Sequence, residues 1–317
     1  MVKRRKTISV IVPCLNEEEN ILPLYNRLQK VFRKLPLFVP EYIFVDNNSP
    51  DGSEDIFTSL AKRDKKVKVI FMSRNFGSPQ PSFVAGLTNA RGDAVILLQG
   101  DIQDPPELIP AFIKKWGEGY DIVYGTRIKR RGNSFLMNIF YKVFYVLLKK
   151  LSYLDIPMET GDFSLLDRVV VNQLLQFPEV DYHLRGLRAF VGFRHTSIPY
   201  VRDARTRGKS TENFFSSLWW AKTIIVNFSL RPLALVSQIA FMVMLFTLAA
   251  LFINIFSLFI FHDSPRGVPT IILLILFLGA IQMLSLSIIA EYLGKIFLEV
   301  KGRPRFIIRK LLNIKKV

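Results

Sequence analysis

The stretch Leu97–Glu107, LLQGDIQDPPE, closes an apolar run and then turns polar within two residues. The run reads as a buried strand. The Pro-Pro pair reads as the opening of a helix, because a first helical turn has no partner for the N–H that proline lacks. This puts Asp101, Gln103 and Asp104 at the carboxyl end of a strand, the edge at which open α/β sheets bind their ligands. A carboxylate and a side-chain carbonyl on one face suit a hard divalent cation that also holds a phosphate. The simpler alternative is an acidic turn that only caps a helix.

Outward from this stretch, Thr7–Val12, Tyr42–Asp46, Val67–Met72 and Asp121–Gly125 are further apolar runs. Helical spacing over Glu18–Lys34, Ser53–Arg63, Ser82–Ala90 and Glu107–Trp116 separates them. Strands alternating with helices imply a mostly parallel sheet covered on both faces. Polar clusters follow the strands: Asn16-Glu17, Asp46-Asn47-Asn48, Ser73-Arg74-Asn75 and Asp101-Ile102-Gln103. Convergence of four clusters on one edge points to a binding site there.

The chain has 317 residues, half of them hydrophobic, and a net charge of +17. Leu233–Phe261 and Val268–Ala290 contain no charged residue, and each exceeds the roughly 20 residues needed to span a bilayer. The positive excess therefore points to anionic lipid and phosphorylated substrates; no zinc-finger spacing or RNA-recognition signature argues for nucleic acid. Ser134–Leu151 and Asn213–Leu230 carry aromatic and aliphatic residues at helical spacing and read as helices on a membrane surface. Each follows a basic cluster: Arg127, Lys129, Arg130 and Arg131 before the first, and Arg202, Arg205, Arg207 and Lys209 before the second. Such clusters suit phosphate and pyrophosphate. Cys14 is the only cysteine, which excludes an intrachain disulfide. The apolar run behind the basic amino terminus is too short for a signal peptide and reads as a first strand.

Seven segments carry a resemblance. VIVPCLNEEENI, VDNNSPDGS, SRNFG, LLQGDIQDPPELI, GDFSLLDR, LRGLRAFVGFR and EYLGKIFLEVKGRPRF are similar, in this order, to the family-2 glycosyltransferases of the polyprenyl-phosphate class. That class includes dolichol-phosphate mannose synthases and the bacterial glucosyltransferases that load undecaprenyl phosphate. The resemblance implies a GT-A fold, Rossmann-like, over residues 1–230, two transmembrane helices within 231–298 and a basic tail, 299–317. It implies inverting transfer of a sugar from a nucleotide sugar, by family weight a UDP-sugar such as UDP-glucose, to a lipid phosphate. It also implies Mg2+ or Mn2+, held by Asp101 and Gln103. Pro13, Asn16, Glu17, Asp46 and Gln99 fall where the family holds the base and ribose, and Arg202, Arg205 and Lys209 would meet the diphosphate. Arg127, Lys129, Arg130 and Arg131 would receive the acceptor phosphate. Asp162 matches a carboxylate proposed as base or acceptor-orienting group. A phosphate acceptor is already ionised at neutral pH, which favours positioning over proton abstraction. Lysine and arginine after Glu291 place both termini and the catalytic domain in the cytoplasm, at a bacterial inner membrane. Related bacterial members suggest a tetramer.

Three departures from the family pattern stand out. Gln99 replaces the first acid of the D-x-D motif, so Gln99→Asp is expected to keep or raise activity. Asn47 replaces the second acid after the second strand. Ser78-Pro79-Gln80-Pro81 reads as a loop where the family is helical. Ser164, where many members have arginine, is variation within the family, since a bacterial subgroup carries GDFSL. Two rivals fit less of the chain. A processive polysaccharide synthase carries a Q-x-x-R-W motif and more membrane spans. A non-catalytic, membrane-anchored nucleotide-sugar binder is motivated only by Gln99 and Asn47.

Overall fold

Strand β1, Lys6–Cys14, ends in seven successive buried residues, as a strand must when helices cover both its faces. The computed structural model describes residues 5–128, 160–202, 229, 231–260 and 267–314. In it β1 pairs in parallel with β2 (Phe38–Asp46) and with β4 (Ala94–Leu97), and β2 pairs in parallel with β3 (Val67–Met72). Helices α1 (Glu18–Arg33), α2 (Ser53–Arg63) and α3 (Pro79–Asn89) follow the first three strands. After β4 a short 3-10 turn, Pro106–Leu108, leads into α4 (Ile109–Gly117). Then come β5 (Ile122–Arg127), β6 (Thr160–Asp167), α5 (Arg168–Gln176), α6 (Leu184–Phe190) and β7 (His195–Tyr200).

The sheet has eight strands in the order β7-β5-β6-β4-β1-β2-β3-β8. Only β6 and β8 (Ile308–Leu312) run against the rest. Leu24, Leu28, Phe57 and Phe112 bury one face of the sheet against Val10, Phe44, Phe71 and Ile96. Burying a side chain of this size contributes about 1.5–3 kcal/mol. Helices α3 and α5 cover strands of the same sheet. A Cβ on Gly86 of α3 would stand 2.3 Å from Ile11 Cγ2, so glycine is what lets α3 lie this close to β1.

Three expectations need correction. Ser78–Pro81 is not a loop: α3 starts at Pro79, with Pro79, Gln80 and Pro81 in its first turn, where proline costs no hydrogen bond. The second long apolar helix runs past Ala290 to Lys301. The residues from 302 onward are more than a basic tail, because β8 pairs antiparallel with β3 and completes the sheet. Asn313 Nδ2 donates to the carbonyls of Ala61 and Val67 at 2.7 and 2.8 Å, Ser73 N–H donates to Ile307 O, and Arg305 donates to Phe177 O.

The chain divides into two compact units. One comprises Met1–Tyr145, Leu154–Asn213 and Gly302–Val317, the other Val146–Tyr153 and Phe214–Lys301. In the second unit, α7 (Arg231–Ile260) and α8 (Val268–Lys301) are long helices. Phe246, Phe252, Leu276 and Met283 on them are 63–72% exposed, an outward apolar surface of the kind that marks a membrane or protein interface. Among the described residues one stretch, Leu274–Lys301, is long and apolar enough to cross a membrane; Arg231–Thr247 is apolar but shorter. The surface helices expected near 134–151 and 213–230 lie outside the described residues, apart from Ser229.

Candidate active site

The reversed direction of β6 builds the site. Parallel strands β4 and β5 deliver Gln99–Asp104 and Arg127 at their carboxyl ends. An antiparallel strand between them must start at that same edge. Leu97 pairs with Ser164, and two further steps of that register bring Gln99 opposite Asp162. Gln99 Nε2 donates to Asp162 Oδ2 at 3.1 Å.

Asp162 is 2% exposed. Its Oδ1 accepts from Arg185 Nε at 3.2 Å and from Gln80 Nε2 at 3.5 Å. Gln80 is held in turn by Leu184 N–H, which donates to its Oε1 at 3.0 Å. Arg188, also buried, donates to the backbone carbonyls of Asp162 and Gly161 and to Ser164 Oγ. Burial alone would raise the carboxyl pKa of Asp162, but Arg185 and Arg188 overturn that effect and hold it well below the usual carboxylate range. His183 beside them is pushed down to about 4, first by burial and then by Arg185. Gln99 thus donates to the Asp162 carboxylate, while Ser164 Oγ donates to the Asp162 backbone carbonyl at 2.9 Å.

On the other side of Gln99 lies the D-x-Q turn. Ile102 has φ of +60°, a left-handed conformation that is strained for a β-branched residue. Its side chain packs on the core. The turn brings Asp101 and Asp104 onto one guanidinium, with Arg202 Nη2 3.3 Å from Asp101 Oδ2 and Arg202 Nε 3.3 Å from Asp104 Oδ1. Gln103 N–H donates to Asp101 Oδ1 at 3.2 Å. Asp101 and Gln103 are both half-buried. Among the described residues no three His, Cys, Asp or Glu side chains are grouped to hold a metal by themselves. A one-carboxylate, one-amide set fits Mg2+ or Mn2+, which keep water and substrate phosphate as their other ligands.

The remaining polar clusters meet at the ends of β1, β2 and β3. Pro13, buried in β1, accepts from Gly100 N–H at 3.2 Å through its carbonyl. Asp46 is buried and accepts from Ser49 N–H on both oxygens, and burial foremost raises its pKa. Asn16, at φ +56°, donates its N–H to Ser49 Oγ. Glu17 Oε2 accepts from Asn20 Nδ2 at 2.5 Å. Asn47 uses both ends of its amide: Nδ2 donates to Asn75 Oδ1 at 3.1 Å and Oδ1 accepts from Phe76 N–H at 3.1 Å. A carboxylate at 47 could not make the first of these bonds.

A model of Glycosyl transferase family 2 matches residues 9–175. This chain belongs to glycosyltransferase family 2. It is 37% identical over 308 residues to an uncharacterised glycosyltransferase of Synechocystis, covering 97% of this chain and 96% of that one. It is 36% identical over 303 residues to the SfII prophage-derived bactoprenol glucosyl transferase of Shigella flexneri, covering 96% and 97%. Among solved structures it is similar to glucosyl-3-phosphoglycerate synthase of Mycobacterium tuberculosis in complex with Mn2+, UDP-glucose and phosphoglyceric acid. That match has 19% identity and a TM-score of 0.45 over 70% of this chain and 78% of that one.

In this glycosyltransferase the GT-A sheet gathers Pro13, Asn16, Glu17, Asp46, Gln99, Asp101, Gln103, Arg127, Asp162 and Arg202 at one edge. Lys129, Arg130, Arg131, Arg205 and Lys209 lie outside the described residues. Arg127 sits within the site, not on an exposed basic loop: it is 9% exposed and donates from Nε to Tyr200 Oη at 3.3 Å. A Cβ on Gly161 would stand 2.6 Å from its Nη2. Gln80, Arg185 and Arg188 were not among the expected site residues. The available signal was the spacing of two arginines within the apolar run LRGLRAF, since buried guanidiniums require a carboxylate.

Proposed function

We propose that this glycosyltransferase transfers a sugar from a nucleotide sugar to a polyprenyl phosphate in a membrane, with inversion. The observation that carries the acceptor class is the state of Asp162. Its carboxylate is buried among donors and held ionised, so it is a poor base, and His183 is pushed well below neutrality. An alcohol acceptor needs its proton removed during attack, whereas a phosphate arrives ionised. The name of the Shigella relative, a bactoprenol glucosyl transferase, supports the same acceptor and glucose as the sugar. A UDP-sugar donor, UDP-glucose foremost, and undecaprenyl phosphate are the specific substrates proposed, for assembly or modification of cell-envelope glycans.

The proposed roles rest on the resemblance to the family, and the gathering of the described residues at one sheet edge supports them. Pro13, Asn16, Glu17 and Asp46 hold the base and ribose, with Gln99 near the ribose. Arg202, with Arg205 and Lys209 of the following segment, meets the diphosphate. Arg127, with Lys129, Arg130 and Arg131, meets the acceptor phosphate. Asp101 and Gln103 would hold Mg2+ or Mn2+, which when bound neutralises the diphosphate as it leaves. Asp162 orients Arg185 and steers the acceptor electrostatically. One in-line displacement needs no enzyme nucleophile.

We also propose that α7 and α8 both span the membrane, that both termini and the catalytic unit face the cytoplasm at a bacterial inner membrane, and that the assembly is a tetramer. The uncharged runs support the spans, and the lysine and arginine excess after Glu291 supports the orientation. The acceptor class is tested by offering undecaprenyl phosphate and undecaprenol side by side with UDP-glucose and Mn2+. The expected product forms from the phosphate alone. Equal glucosylation of the alcohol would refute the argument from Asp162.

A further inference from the structure

Asp104 has no role in the reading above, yet it is 1% exposed beside the proposed phosphate-binding cations. Its Oδ1 accepts from Tyr200 Oη at 2.5 Å, stands 3.3 Å from Arg202 Nε and stands 3.9 Å from Arg127 Nη2. Tyr200 Oη in turn accepts from Arg127 Nε at 3.3 Å. The parallel register of β5 and β7 sets Arg127 opposite Tyr200, and Arg202 follows two residues later. One buried carboxylate therefore lies between the guanidinium assigned to the acceptor phosphate and the guanidinium assigned to the donor diphosphate.

A buried carboxylate without counter-ions is costly, and so are two guanidiniums brought together without an anion. Asp101, Asp104, Arg127 and Arg202 together sum to zero charge. Asp101 is the proposed metal ligand and is committed elsewhere once the site is loaded. Asp104 is then the anion that remains to hold both arginines. Its Oδ2 is buried without a hydrogen-bond partner among the described residues.

We propose that Asp104, directly at Arg202 and through Tyr200 Oη at Arg127, is the positioning residue that fixes the two guanidiniums for the two phosphate groups at once. The proposal rests on the functional reading above.

Initial rates with UDP-glucose and undecaprenyl phosphate varied in turn give the test. Asp104→Asn is expected to raise both KM values about tenfold while moving kcat less than threefold. Tyr200→Phe, which keeps the ring packing, is expected to raise the lipid KM by a smaller factor and to leave the donor KM nearly unchanged, because its hydroxyl bridges Asp104 to Arg127 alone. Arg127→Ala alone should raise chiefly the KM for the lipid. In that background Asp104→Asn should no longer change the lipid KM but should still raise the donor KM, because residues acting through one another are not additive. Calorimetric titration of the Asp104→Asn protein with UDP and Mn2+ should show the same weakening without turnover. If Asp104→Asn does not fold, Tyr200→Phe and its double variant with Arg127→Ala decide the point. An effect of Asp104→Asn on one substrate only, or full additivity of either variant with Arg127→Ala in the lipid KM, overturns the proposal while the transferase reading stands. A wild-type protein that transfers nothing overturns both.

Discussion

Gln99 Nε2 lies 3.1 Å from Asp162 Oδ2, so the residue that departs most from the family's metal motif is a hydrogen-bond donor to a buried carboxylate of the site. The motif taken alone leads one to expect Gln99→Asp to keep or raise activity. The contact reverses that expectation. An aspartate there sets two carboxylates together, with Ser164 in place of the arginine that many members have nearby. Gln99→Asp should lower kcat at least tenfold at pH 7.5, and Gln99→Glu should do no better. Steady-state rates of lipid glycosylation check this; unchanged or faster turnover would show that the Asp162 contact is dispensable.

The pH profile separates a base from an electrostatic group. The folded pKa of Asp162 is depressed, so the stability it contributes is present above the ordinary carboxylate pKa of about 4. That contribution is lost only as pH falls through the lower folded value. Between pH 5 and 8 the residue does not titrate. The acid limb of kcat/KM should instead follow the second ionisation of the acceptor phosphate, near pH 6. Asp162→Asn should lower the plateau and leave the limb in place. A limb that vanishes in Asp162→Asn would make Asp162 the base.

The carboxyl-terminal strand gives a stability prediction. Asn313→Ala removes two hydrogen bonds to backbone carbonyls, one to Ala61 and one to Val67, and should destabilise the catalytic unit by about 1–2 kcal/mol. Arg309→Ala removes an exposed ion pair with Glu54 and should cost under about 0.5 kcal/mol. Thermal unfolding in detergent compares them. Equal shifts would mean that β8 is held by charge and not by the Asn313 clasp.

The parts of the fold carried by local pattern were legible in the sequence. The apolar runs of β1 to β5 and the helical spacing of α1 and α2 name those elements, and turn chemistry places Asp101 and Gln103 at a strand end. What depends on long-range register was not legible. The meeting of Gln99 with Asp162 follows from the antiparallel insertion of β6, which the segment GDFSLLD does not announce. Pro79 and Pro81 read as loop residues because proline breaks helix interiors, but a first turn tolerates both. Strand β8 was hidden because Ile308–Leu312 alternates charge with apolar residues in a basic stretch. The sequence places Asp104 at the strand end, with a helix cap as the simpler alternative, and its contacts with Tyr200 and Arg202 depend on the approach of β7, which the local sequence does not show.

Orientation can be read by protease. In sealed inside-out vesicles, trypsin should reach the catalytic unit and the lysines after Gly302. In right-side-out vesicles both should be protected. Protection in inside-out vesicles would reverse the topology drawn from the lysine and arginine excess.

The central claim is transfer to a lipid phosphate, and the mass of the lipid product tests it most directly. Purified protein is incubated with undecaprenyl phosphate, Mn2+ and a panel of UDP- and GDP-sugars, and the lipid fraction is analysed by mass spectrometry. The predicted result is undecaprenyl phosphate enlarged by one sugar, formed most readily from UDP-glucose. EDTA should suppress it, and Asp101→Ala should lose it by at least a hundredfold. Saturable binding of a nucleotide sugar with no lipid product from any donor would contradict the claim and leave a binding protein on a glycosyltransferase fold.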